Sequence, residues 1–471
     1  MKEKFDVKAD LIEELDSVVL APEGSIPLWL SGSLIRNGPI NISVNGESNS
    51  HWFDGLAMLH AFAFEQGAVR YSNKFLRTEA YTTVFEKGSL HYPGFATDPC
   101  RSLFKRLFTW FVPHTRRHLP NANINIVQLA KEYVALTEVP LPVRFDLTTL
   151  ETLGVFDYHD RLPQEKCWES AHPHTYENRI FNYLIQYGST SHYVLYRFSN
   201  TASERQIIAR IPVEEPAYMH SFALTEHYVI FAEYPFVVKP LDFITKDIPF
   251  IDNFIWKPDQ GTRFTVINRQ DGTLHGTYKT KPFFAFHHVN AFEKEKTLYL
   301  DIVCYDDPLI IQKDADYFKT PSEEREKQRM RLERFALSLD VDYVSSEILF
   351  EGPIEFPRIN GTFDGQPYRY VYLADPRDPF SQSDLRSLYK FDTFSQEAQT
   401  WSELGCYPGE PVFVSSPSST QEDEGVILSL VLDLNKKTSF LLILDAKTFQ
   451  ELGRATAPHS IPPGLHGQFF S

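Results

Sequence analysis

Leu442-Ile-Leu-Asp-Ala-Lys-Thr, residues 442–448, is an apolar run that ends in an acid and passes into a polar turn. The same succession returns in Tyr389-Lys-Phe-Asp-Thr, Ser338-Leu-Asp-Val-Asp and Arg144-Phe-Asp-Leu-Thr. Asp340, Asp392 and Asp445 stand 52 and 53 residues apart, close to the length of four strands with their turns. Around them lie runs rich in branched and aromatic residues, such as Tyr133-Val-Ala-Leu-Thr, Tyr228-Val-Ile-Phe-Ala and Leu298-Tyr-Leu-Asp-Ile-Val, the composition that strands favour. The repeat predicts an all-β chain built as a β-propeller. Unrelated hairpin turns of a large β-sandwich would give the same spacing. Helical signals are few; the plainest is Ser322-Glu-Glu-Arg-Glu-Lys, where Ser322 can cap a charged surface helix.

At 471 residues the chain would ordinarily divide, but a propeller runs this long as one unit, so a single domain over 1–471 is expected. Aromatic residues make up 14%, enough rigid apolar surface to wall a greasy tunnel as well as a core. A formal charge of -16 without any strongly basic domain speaks against nucleic acid. Cys100, Cys167, Cys304 and Cys406 are scattered and form no CxxC pair, which signals neither a disulfide framework nor a zinc site and suits a reducing cytoplasm. The first residues alternate in charge, unlike a secretory signal, and no run of about 18 apolar residues offers a membrane span.

Position separates a few of the 16 histidines from the rest. His172 and His220 each stand eight residues before a strand, at Ile180 and Tyr228, and His287 stands in the same relation to the strand at Leu298 with a longer turn. Equivalent positions of successive propeller blades face one axis, so these three would converge although 48 and 67 residues separate them. Imidazole suits iron, zinc, copper and nickel alike, so ligand type does not choose the metal. Glu138, Glu355 and Glu410, each at a strand end, are either surface acids at turns or acceptors for the outer N–H of ligating imidazoles.

The ordered motifs Ser31-Gly-Ser-Leu-Ile-Arg-Asn-Gly-Pro, His51-Trp-Phe-Asp-Gly, Ala171-His-Pro-His, Met219-His-Ser-Phe, Phe286-His-His-Val-Asn, Glu355-Phe-Pro-Arg, Gly409-Glu-Pro-Val and Leu465-His-Gly-Gln-Phe resemble the carotenoid cleavage oxygenases, specifically their animal-type branch. That resemblance implies a seven-bladed β-propeller under a dome of loops and helices. It implies iron(II) held by His172, His220, His287 and His466, with Glu138, Glu355 and Glu410 on the outer nitrogens. The implied reaction is dioxygenase cleavage, by O2, of a carotenoid or apocarotenoid double bond, the central 15,15′ bond by the same resemblance, to aldehydes such as retinal. A retinoid isomerohydrolase on the same scaffold is the alternative, and a non-catalytic propeller serving as a binding module is the reading from another class. His60, His174 and His288 neighbour the motifs without occupying ligand positions. Thr137 stands where stilbene-cleaving relatives carry a lysine, which argues against a phenolic substrate.

Between about 98 and 118, Leu103, Phe104, Leu107, Phe108 and Phe111 recur at helical spacing among five basic residues and no acid from 101 to 118. A basic, aromatic amphipathic segment in so acidic a chain reads as a peripheral membrane anchor; a buried helix of the dome has the same spacing.

Overall fold

A computed structural model of the chain describes residues 13–44, 47–49, 51–90, 92, 94–95, 119–162, 167–246, 248–311, 328–377 and 385–471. Cys100, the segment carrying Leu103, Phe104, Leu107, Phe108 and Phe111, and the charged run at Ser322 lie outside them. Seven antiparallel sheets of four to six strands form the blades of a propeller, which removes the sandwich alternative. We number the blades I to VII in chain order. The first strand of each lies nearest the axis, where it packs against first strands of its neighbours.

The aligned acids find their explanation in the blades. Each stands at the end of the third strand, at the hairpin leading to the fourth: Asp392 closes Ser387–Asp392 in blade VI and Asp445 closes Thr438–Asp445 in blade VII. Asp445 Oδ1 accepts the backbone N–H groups of Lys447 and Thr448, Asp392 Oδ1 those of Phe394 and Ser395, and Asp146 Oδ1 those of Thr148 and Thr149 in blade II. A short side-chain acceptor thereby replaces the carbonyl that would otherwise stabilise the turn. Asp340 occupies the corresponding hairpin of blade V, yet its carboxylate pairs with Lys296 at 2.9 Å. In blades III and IV the turn acceptors are Ser199 and Asn268.

Both ends of the described chain take part in ring closure. Pro22–Gly24 is the outer strand of blade VII, beside Glu451–Thr456, while Gly467–Phe470 is the first strand of blade I, beside Gly32–Ile40. The outer junction is close: Gly24 has φ +82°, and a Cβ there would stand 2.4 Å from the carbonyl oxygen of Leu452. Only glycine meets both demands.

Blade faces are apolar, so the middle strands read as buried runs; Gly425–Asp433 and Thr438–Asp445 are examples. Near the axis, buried asparagines hold the loops beside the first strands, from the preceding blade or from the same one. Asn125 Nδ2 donates to the carbonyl of Ala171, Asn182 Nδ2 to that of Ser170, and Asn37 Nδ2 to that of Ala122. These bonds satisfy loop carbonyls that have no strand partner, and the first two fix the backbone just before His172. Among the described residues no helix is long and apolar enough to cross a membrane.

Candidate metal centre

Four first strands deliver four imidazoles. His172 lies in the break between Cys167–Glu169 and His174–Tyr176 of blade III, and His220 shortly precedes Ala223–Leu224 of blade IV. His287 immediately precedes His288–Lys294 of blade V, and His466 immediately precedes Gly467–Phe470 of blade I. Serines staple the loops of neighbouring histidines together. Ser170 Oγ donates to the carbonyl of His220 and accepts from the N–H of His172, at 2.8 and 3.1 Å. Ser221 Oγ donates to the carbonyl of Phe286 and accepts from the N–H of His288, at 2.7 and 3.0 Å.

The ring nitrogens converge: one nitrogen from each of the four residues lies within 4.8 Å of the other three. His172 Nε2 and His220 Nε2 are 2.9 Å apart, and His287 Nε2 and His466 Nε2 are 3.1 Å apart. Two nitrogens bound to one ion at about 2.1 Å and at right angles would be about 3.0 Å apart.

On their outer side three of the rings meet carboxylates. His220 Nδ1 lies 2.6 Å from Glu138 Oε1, His287 Nδ1 2.5 Å from Glu355 Oε2, and His466 Nδ1 2.8 Å from Glu410 Oε1. An ionised carboxylate only accepts, so each of these Nδ1 atoms carries the proton and leaves Nε2 as a bare lone pair. His287 Nε2 and His466 Nε2 thus present lone pairs to one another, an arrangement that repels until a cation stands between them. The donor set fits a divalent metal ion.

The carboxylates come from different places. Glu355 opens the first strand of blade VI and Glu410 lies between the two pieces of the first strand of blade VII, Cys406–Pro408 and Val412–Ser415. Glu138, by contrast, follows the second strand of blade II, Glu132–Leu136, and reaches His220 with Trp168 Nε1 and the Tyr218 hydroxyl donating to it. The N–H of Phe356 donates to Glu355 Oε2 at 2.5 Å, from a residue at φ +52°. A phenylalanine in that region is strained, and here the strained peptide aims a donor at the carboxylate.

Burial would raise the Glu355 carboxyl, but His287 and the peptide N–H of Phe356 outweigh it and hold the group below the usual range. Burial also opposes ionisation of Glu410, and Arg358, His466 and Arg36 overcome it and keep the carboxyl well below that range. Burial among three other imidazoles drives His172 far below the ordinary histidine value. His466 is pushed down to about 4 by burial, with Glu410 pulling the other way. Both rings are therefore unprotonated bases at neutral pH.

The histidines outside this group have other partners. His174 Nδ1 lies 2.9 Å from Asp364 Oδ2, which keeps that ring above its ordinary value in spite of burial. His288 shares a hydrogen bond with Ser221 and His60 with Tyr71, and burial pushes both down to about 3. Sequence reasoning did not find Ser170, Ser221, Trp168, Tyr218 or Arg36. Ser221 and Arg36 lie inside quoted motifs and Ser170 directly precedes one, yet nothing in those motifs marks their side chains as partners of the histidines or of Glu410.

Beside His220 and His287 the surroundings are aromatic. Phe286 stands 5.5 Å from the His220 ring, centroid to centroid, and Phe53 stands 6.3 Å from Phe286. Phe95 packs between Phe53 and Tyr218. Such walls suit a long unsaturated hydrocarbon.

The family model of the retinal pigment epithelial membrane protein (RPE65) matches residues 9–471. Over 520 residues the chain is 32% identical to a mouse protein named β,β-carotene 15,15′-dioxygenase, with 97% of this chain and 90% of that protein covered. A ferret protein (Mustela putorius furo) named mitochondrial carotenoid-cleaving dioxygenase is 34% identical over 535 residues, covering 97% and 95%. Among solved structures, the cobalt-substituted apocarotenoid oxygenase (ACO) of Synechocystis superposes with a TM-score of 0.85 at 28% identity, over 99% of this chain and 97% of that one.

Proposed function

The chain belongs to the RPE65 family, which takes in the carotenoid-cleaving dioxygenases it resembles, and from that premise we propose that it cleaves a carotenoid or apocarotenoid double bond with O2, using iron(II) held by His172, His220, His287 and His466. The observation that carries this reading is the set of imidazoles whose outer nitrogens donate to Glu138, Glu355 and Glu410 while their inner nitrogens face a common point. Iron(II) bound there would supply O2 activation next to an electron-rich polyene.

What the chain's own residues contribute can be stated separately. Four neutral imidazoles leave the full charge of a divalent ion in place, and three buried carboxylates offset it while fixing which ring nitrogen is free. Phe53, Phe95 and Phe286 present π faces and edges to a hydrocarbon and keep water from it. Adding both atoms of O2 across one C=C bond gives two carbonyl products, so no side chain has to gain or lose a proton in the balance. Thr137, a neutral side chain, offers nothing to ionise a phenol.

The test is oxygen uptake and chromatography of products after incubation of the iron-loaded protein with β-carotene and, separately, with an apocarotenal. Retinal from either substrate, with one O2 consumed per bond cut, is the expected result. No carbonyl product from any polyene, with iron bound, would defeat the proposal.

Bilayers are where such substrates dissolve, and we assign their uptake to the basic aromatic segment near 98–118. Burying one phenylalanine stabilises an interface by about 1.5–3 kcal/mol, so Phe108→Asp should weaken binding to anionic liposomes by roughly tenfold or more. Flotation reads this directly; equal flotation of both proteins would refute the anchor.

A further inference from the structure

The three carboxylates at the metal centre are held differently. Glu138 accepts from an indole and a phenol, and Glu355 from the peptide N–H of Phe356, all neutral donors. Glu410 also accepts a peptide N–H, that of Gly467, but it alone is held by cations as well: Arg36 Nη1 donates to Oε2 at 2.5 Å, and Arg358 Nη1 stands 3.5 Å from Oε1. Arg36 is also the more deeply placed, with its side chain 2% exposed against 24% for Arg358. Its second prong, Nη2, donates to the carbonyl of Leu465 at 2.7 Å, the peptide immediately before His466. One guanidinium therefore grips both the acceptor on the His466 ring and the backbone that carries that ring.

The slot around Arg36 is made by glycines. Gly467 stands opposite Arg36 in the strand pairing, and a Cβ there would fall 2.5 Å from Arg36 Cδ and 3.1 Å from Nη1. A Cβ on Gly409 would lie 3.7 Å from Nη2, in contact with the guanidinium from another side. These two glycines directly follow His466 and directly precede Glu410, the two residues that the fork connects.

We propose that Arg36 is a positioning residue of the metal centre, which aims His466 by holding at once the carboxylate on its Nδ1 and the carbonyl of the preceding peptide. The proposal rests on the reading that the four histidines hold a metal ion. The two prongs are parallel donors of one planar group, so Glu410 and the His466 backbone are set relative to each other; an ammonium, a single point on a flexible stem, reproduces the charge without that geometry.

The experiment measures iron(II) affinity of the full-length protein by competition with a chelator, together with the melting temperature of the metal-free form. Arg36→Met should weaken iron(II) binding roughly 10–100-fold, the usual effect of losing a partner that orients a ligand. Arg36→Lys should recover part of the loss, and it supplies the same comparison with wild type should Arg36→Met fail to fold. Glu410→Gln should cost much less in the Arg36→Met background than in wild type, because the two act as a unit. Unchanged affinity with a lower melting temperature in the metal-free form would overturn the proposal and reduce Arg36 to a strut of the ring seam, as would strictly additive effects. A wild-type chain that binds no iron overturns the reading of the centre and this proposal with it.

Discussion

His287→Ala is expected to yield a folded protein that loses its metal on dialysis and cleaves polyenes at less than about a thousandth of the wild-type rate. Two losses coincide in this substitution. The centre gives up one of its four nitrogen donors, and Glu355, 3% exposed, gives up the N–H that lies against its Oε2. Leaving a buried acceptor without its donor costs about 1–3 kcal/mol, and more when the acceptor is charged. Glu355 keeps the Phe356 N–H, so the cost falls on the site ahead of the fold. His288→Ala is the matched control, since that ring bonds Ser221 and lies outside the group of four. Metal content by elemental analysis, read with oxygen uptake, separates the two variants. Equal metal retention in both would remove His287 from the centre.

The second large effect is expected from shortening the chain. Ending it after Gly464 removes His466, the strand Gly467–Phe470 and the buried Leu465 together. It also strands Glu410, whose acceptor oxygens lose the His466 ring and the Gly467 N–H, and leaves Gly32–Ile40 without its partner on the axis side. Loss of one buried leucine alone costs about 2–5 kcal/mol, and the unmade hydrogen bonds add to it, so a deficit of about 5 kcal/mol or more is expected. Soluble yield should collapse, or the melting temperature should fall by many degrees. Full-length His466→Ala lacks the ligand but keeps the strand, and its circular dichroism melt should stay close to that of metal-free wild type. If the truncated chain melts like His466→Ala, the last strand contributes no closure.

How much of this was readable in the residues follows from how local each signal is. Asp392 and Asp445 betrayed the blade period because an acid two or three residues before free N–H groups is a local turn device. Blades III and IV use Ser199 and Asn268 for the same task, so the spacing of acids passes over them. First strands were equally hard to see: Ala223–Leu224 has two residues and His174–Tyr176 three, too short for any alternation to register. The histidines could be placed relative to the second strands, which are long and apolar, and the resemblance supplied the rest, including His466. The Arg36 to Glu410 contact spans 374 positions and depends on the ring being closed, so nothing near either residue announces it. Glu138 looked like the other two carboxylates in sequence, yet it arrives from a second strand two blades away from its histidine.

The seam at Gly467–Phe470 carries a consequence for biosynthesis. Three of the nitrogen donors, on blades III to V, are synthesised well before the fourth, which lies 179 positions beyond His287. A ribosome-bound intermediate can assemble those blades while its tail is still inside the exit tunnel, and it then has only an incomplete nest of imidazoles. The full set of four nitrogens therefore comes together only once Gly467–Phe470 has paired with Gly32–Ile40, after the other three are in place.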